Sequence, residues 1–105
     1  MNFNKLHFVL GPNGSPVLEK DYHKWLLWME SNNLAVFRDQ VNKIEIVTSF
    51  LGLDHQHTTA CPVLWETITF GEENQKRERC GGNTEQAEAM HNKIVELVRK
   101  EIYGS

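Results

Sequence analysis

Several things missing from this sequence narrow its function before any motif is read. No apolar run approaches the roughly 20 residues of a membrane-spanning helix, so no membrane partner is expected. A surplus of positive charge is missing too: 11 lysines and arginines stand against 14 acidic residues, a formal net charge of −3. Without a broad positive field the main source of non-specific affinity for DNA or RNA is gone, and polymeric nucleic acid is not an expected partner. Cysteine is scarce, with only Cys61 and Cys80 and no C-x-x-C spacing between them. Residues 1–20 hold no basic segment followed by an apolar one, so the chain reads as cytoplasmic with both thiols reduced. There is no internal repeat and no low-complexity tract.

What remains is an ordinary globular composition, 40% hydrophobic and 24% charged over 105 residues. A chain of that size buries about 65% of its unfolded surface around one core. Residues 1–105 are therefore read as a single domain.

From Asn4 to Leu10 apolar and polar residues alternate, which predicts a first strand. The dense turn signal Gly11-Pro12-Asn13-Gly14-Ser15-Pro16 follows. Leu18, Tyr22, Trp25, Leu26 and Met29 recur at helical spacing, and Asn32-Asn33 tolerates the left-handed conformation that ends many helices, so helix one is expected near 19–31. Residues 34–39 and 43–51 are rich in β-branched and aromatic side chains and read as a hairpin. A loop over 52–62, a strand from Val63 to Phe70, a turn at Gly71 to Asn74 and an edge strand from Gln75 to Cys80 come next. Asn83 with Gln86 three residues on has the form of a capping box. The helix it opens carries Ala87, His91, Ile94, Val95, Val98 and Ile102 on one stripe. The expected fold is α+β: an antiparallel sheet of about five strands with two helices, in the order β-α-β-β-β-β-α.

Gly52-Leu53-Asp54-His55, Pro62, Leu64-Trp65-Glu66-Thr67, Phe70-Gly71, Arg79, and Ala87 with His91 together resemble a family of small uncharacterised proteins of tailed phages and prophages. The family pattern runs L-G-L-D-H, a Gly- and Pro-rich loop, L-[FW]-E-T-M, F-G, an Arg-aromatic pair and A-x-x-x-H, and the resemblance spans roughly residues 6–98. The chain departs from it at Ile68, Cys80 and Met90, and in the loop Gln56-His57-Thr58-Thr59-Ala60-Cys61. The resemblance implies a phage or prophage accessory protein acting in the host cytoplasm. It carries no activity.

Glu66 is the most informative residue. It alternates with Leu64, Ile68 and Phe70 on one face of its strand, where an unpaired carboxylate would be costly to bury. A four-residue loop at Gly71 to Asn74 sets Glu66 opposite Arg79 and Cys80 opposite Trp65. They should pair, and breaking a buried pair of that kind costs about 3–5 kcal/mol. Cys61 then lies about 13 Å from Cys80 along the strand, beyond the ~7 Å reach of a disulfide. His91 is expected as a third member if the second helix covers this face, with Asp54 and His55 joining from the loop.

Two chemistries compete for this cluster. Asp54, His55, Glu66, Arg79, His91 and Trp65 form a candidate ligand-binding set, and the same polar groups equally suit a buried network that docks the helix. Metal ligation by Asp54, His55, His57 and Cys61 lacks a second ligand pair, and cysteine catalysis lacks an orienting group, so no cofactor and no catalytic residue is assigned. The leading expectation is a non-enzymatic binding module for a host protein or small ligand. The alternatives are sequestration of a nucleotide signal, with Arg77 and Arg79 on phosphate and Trp65 stacked on the base, and a metal-assisted enzyme using His55, His57, Glu66 and His91. Helix one carries more apolar surface than one stripe needs, so Leu27 or Trp28 is expected at a homo-oligomer contact.

Overall fold

The computed structural model describes residues 6–53, 63–71 and 75–104. Phe8–Leu10 (β1) and Pro16–Leu18 (β2) form a two-stranded antiparallel ladder across the Gly- and Pro-rich turn. The turn is self-closing, with the Gly11 amide donating to the Ser15 carbonyl at 2.9 Å and the Gly14 amide to the Gly11 carbonyl at 3.0 Å. Leu18, counted above in a helical stripe, is therefore a strand residue.

The first helix, Tyr22–Ser31 (α1), begins after Asp21, whose carboxylate accepts from the His23 and Lys24 amides at 3.0 and 3.2 Å. Its end differs from expectation, because Asn32 is extended rather than left-handed. The last carbonyls are met by side chains instead: Ser31 Oγ donates to Leu27 O at 2.6 Å and Asn32 Nδ2 to Trp28 O at 2.8 Å.

Ala35–Val41 (β3), Ile44–Phe50 (β4), Trp65–Phe70 (β5) and Arg77–Cys80 (β6) form a four-stranded antiparallel sheet in sequence order. Asn42, at φ 58°, makes the tight β3–β4 turn that its short polar side chain tolerates. The expected register holds between β5 and β6: Trp65 opposite Cys80 and Glu66 opposite Arg79. Asn83 and Gln86 close the capping box, and Thr84–Tyr103 (α2) runs across β3 to β6.

The fold is thus α+β, with the expected element order plus one strand, β2. The first strand stands outside the main sheet because a partner five residues away closes a smaller loop than any strand of that sheet would. The β1–β2 lobe joins the sheet where His7 bridges to Leu53 and the Phe8 amide donates to the Gly52 carbonyl at 2.8 Å. Gly52 has φ 73°, a conformation that favours glycine, and a Cβ there would lie 2.6 Å from the Met29 methyl, so the end of the Met29 side chain would have to shift.

Alternation gives the sheet two unlike faces. Ile44, Ile46, Thr48, Phe50, Trp65, Thr67 and Thr69 share the face beneath α2. Two apolar clusters form there, one of Val41, Ile46, Ile94, Val95 and Val98, the other of Phe50, Leu64, Trp65 and Ala87 backed by Phe8, Trp28 and Met90. Among the described residues neither helix covers the opposite face, which carries Arg38, Glu45, Val47, Glu66, Ile68, Phe70, Arg77 and Arg79.

Candidate functional site

Between the two apolar clusters the covered face holds a polar belt. Thr48 stands between Ile46 and Phe50 on β4, and Thr67 is directly across on β5. Their hydroxyl oxygens lie 2.5 Å apart, and His91 reaches down from α2 to place Nδ1 2.7 Å from Thr48 Oγ1. On the other side of the ring, Nε2 is 2.7 Å from Asp39 Oδ2 at the β3 edge. The ionised Asp39 only accepts, so Nε2 carries a proton; in the neutral ring Nδ1 accepts from Thr48, and Thr48 accepts from Thr67. The chain runs from a half-exposed carboxylate, 49% accessible, to hydroxyls buried completely.

An Asp-His-Thr series has the residue types of a nucleophilic triad, but Thr48 lies under the helix with none of its surface accessible. It is a packed joint. The ring of Phe37 beside His91, with centroids 5.7 Å apart, closes it further.

The opposite face is built differently. One cross-strand row reads Arg38, Val47, Ile68, Arg77, so two guanidiniums flank two aliphatic side chains. In the next row Glu66 Oε2 receives Arg79 Nε at 2.7 Å and lies 3.7 Å from Arg77 Nε, one carboxylate between two cations. The Glu66 side chain is 12% exposed, while those of Arg77 and Arg79 are 58% and 43% exposed. Arg38 leans on Glu45 at 3.1 Å, and Phe70 stands in the open.

The Glu66–Arg79 pair read from the sequence is present, but His91 is not its third member. Thr67, which leads to His91 through Thr48, follows Glu66 on the strand, and neighbouring strand residues point to opposite faces. The face bearing Ile68 and Phe70 is more apolar by composition, yet the helix lies on the face of Trp65, Thr67 and Thr69. Threonine is β-branched and packs there once its hydroxyl is bonded, as Thr69 Oγ1 is to the Lys76 amide at 2.7 Å. Trp65 is also on the covered face, fully buried, its indole N–H donating to Gly82 O at 3.0 Å and its ring 5.0 Å from that of Phe50. It offers no surface on which a base could stack.

Asp54, His55, His57 and Cys61 lie outside the described residues. Among the described residues no group of three or more His, Cys, Asp or Glu is placed to hold a metal ion. Sequence reasoning missed Asp39, Thr48 and Thr67. The signal was in the alternation: Asp39 interrupts Phe37 and Val41 on one face of β3, just as Thr48 interrupts Ile46 and Phe50. Trp28 packs into the core against Phe50, whereas Leu27 is 64% exposed. Among the described residues no helix is long and apolar enough to cross a membrane.

A scan against protein-family models finds no match, and searches of the curated proteins and of the solved structures return none.

Proposed function

We propose that this chain is a non-enzymatic binding module, a phage or prophage accessory protein that engages a host protein through the uncovered face of its four-stranded sheet. The observation that carries the reading is the contrast in cover: among the described residues neither helix lies on that face, and it presents exposed arginines around the half-buried Ile68 and the open Phe70, while Val47 itself is buried. An apolar centre with an arginine-bearing rim is the composition of protein–protein contact surfaces. The polar residues that would suit catalysis are instead bonded to one another beneath α2.

The test compares partners captured from host-cell extract by three forms of the protein. Ile68→Asp with Phe70→Ser should lose the partner held by the wild type, and Leu27→Asp, on the far lobe, should keep it. Loss with Leu27→Asp alone, or equal retention by all three, would overturn the reading.

A second reading, a homo-oligomer joined through α1, is favoured by Leu27 and by the exposed Val17, Leu18 and Tyr22 on the same lobe. Sedimentation velocity distinguishes it, since a wild-type dimer that Leu27→Asp converts to monomer would support it. A wild type monomeric at high concentration would exclude it.

A further inference from the structure

We infer that the uncovered sheet face takes an acidic segment of another protein, with Arg38 and Arg77 receiving carboxylates at the two ends of the Val47–Ile68 strip. This deepens the reading of that face as the binding surface and rests on it. Among the described residues the face carries three arginines and two glutamates within a chain of net charge −3, a local positive surplus on an acidic protein. Its charge is also unevenly compensated. Glu66 Oε2 is approached by the Nε atoms of both Arg79 and Arg77, and one carboxylate balances only one of the two guanidiniums. The Arg38–Glu45 pair is exposed on both sides, an arrangement that contributes little and exchanges readily with another carboxylate.

Geometry narrows the occupant. Arg38 and Arg77 end a row that crosses all four strands, three inter-strand spacings or roughly 14 Å apart. An extended peptide rises about 3.4 Å per residue with alternate side chains on one side. Acidic residues four positions apart therefore match the two arginines, and the residue midway between them lies on Ile68, beside the buried Val47. A second copy would bring like surplus charge face to face, which opposes self-pairing. Free phosphate would use the guanidiniums and leave the aliphatic strip unused.

The probe is a blocked peptide, Glu-Ser-Leu-Ser-Glu, titrated into the ¹⁵N-labelled full chain at low salt, with Gln-Ser-Leu-Ser-Gln and inorganic phosphate as separate arms. The expected result is saturable shifts at the Val47, Ile68 and Arg77 amides with the acidic peptide. Binding should weaken about tenfold with the glutamine peptide, as losing two surface charge pairs implies, and further in 0.5 M salt. Arg38→Gln with Arg77→Gln should lose binding while keeping the wild-type unfolding midpoint. Glu66→Gln should tighten binding severalfold, because Arg79 and Arg77 are then released to the peptide; a Glu66 that served only the fold would give weaker binding.

The inference is overturned by equal binding of the two peptides, by no saturable shift, by phosphate alone reproducing the shifts, by the same shifts appearing on concentration without peptide, or by weaker binding of Glu66→Gln. If capture from extract depends on Ile68 and Phe70 while the peptide result fails, the face binds a partner that is not acidic. Failure of both removes the reading beneath it.

Discussion

On the covered face of the sheet Thr48, Thr67 and His91 are sealed from water and bonded in series, and on the other face Glu66, Arg77 and Arg79 gather around one carboxylate at the surface. Both are cross-strand polar clusters on β4 to β6 and the elements beside them. Only the first is committed to the fold, because a buried donor or acceptor without a partner is costly while an exposed one turns to solvent. The belt lies between two apolar clusters, where a slip of α2 by one turn would set His91 against a hydrophobic side chain. It therefore fixes where the helix docks, a role that apolar contacts alone fill loosely.

The largest expected effect is at His91. His91→Leu keeps bulk under α2 but removes both ring hydrogen bonds, leaving Thr48 short of a partner and Asp39 to water. A loss of about 2–4 kcal/mol is expected, read from the urea midpoint with the slope unchanged. A loss as small as that of Glu66→Ala would erase the difference between the faces.

Thr48→Val is next, at about 1–3 kcal/mol, since it strips a partner from both Thr67 and the imidazole. Combined with Thr67→Val and His91→Leu it should cost less than the three single changes added together, because no orphaned group then remains. Simple additivity would mean that the belt is three separate contacts.

Much of this arrangement was legible in the residues. The capping box at Asn83, the stripe of α2 and the pairing of Glu66 with Arg79 all follow from local geometry: a cap, a 3.6-residue period and a turn length. The two-residue period of β5 was also plain, but which of its faces lies under α2 was not. Ile68 and Phe70 outweigh Thr67 and Thr69 in hydrophobicity, and only the partners on β4 and α2, distant in sequence, make the threonines the better buried set. The same limit hid β2, three residues whose strand character comes from pairing with β1.

Glu66 tests the open face. The 3–5 kcal/mol expected of a buried pair no longer applies, because both arginines are more than two-fifths exposed and solvent screens them. Glu66→Ala should cost under about 1 kcal/mol, less still in high salt, and Glu66→Gln less again. A cost above 3 kcal/mol in chemical denaturation would mean that this face is covered in solution.

The finest probe is Cys80, at the rim of the covered face, directly across from Trp65 and beside the open-face Arg79. Burial pushes its thiol above the ordinary range, so near neutral pH it stays protonated and weakly nucleophilic. The linkage has a definite sign. Because the folded value is raised, the thiol's contribution to stability is complete below the unfolded value and is lost as pH rises through the folded one. In a Cys61→Ser background, so that one thiol reports, a disulfide reagent should modify Cys80 more slowly than a free cysteine at pH 7.5, the gap narrowing as the solution is made more alkaline. Wild-type stability should fall slightly more than that of Cys80→Ser over the same alkaline range. Labelling at the rate of free cysteine would mean that β6 frays from β5, and the boundary between the two faces would then have to be drawn inside the β5 edge.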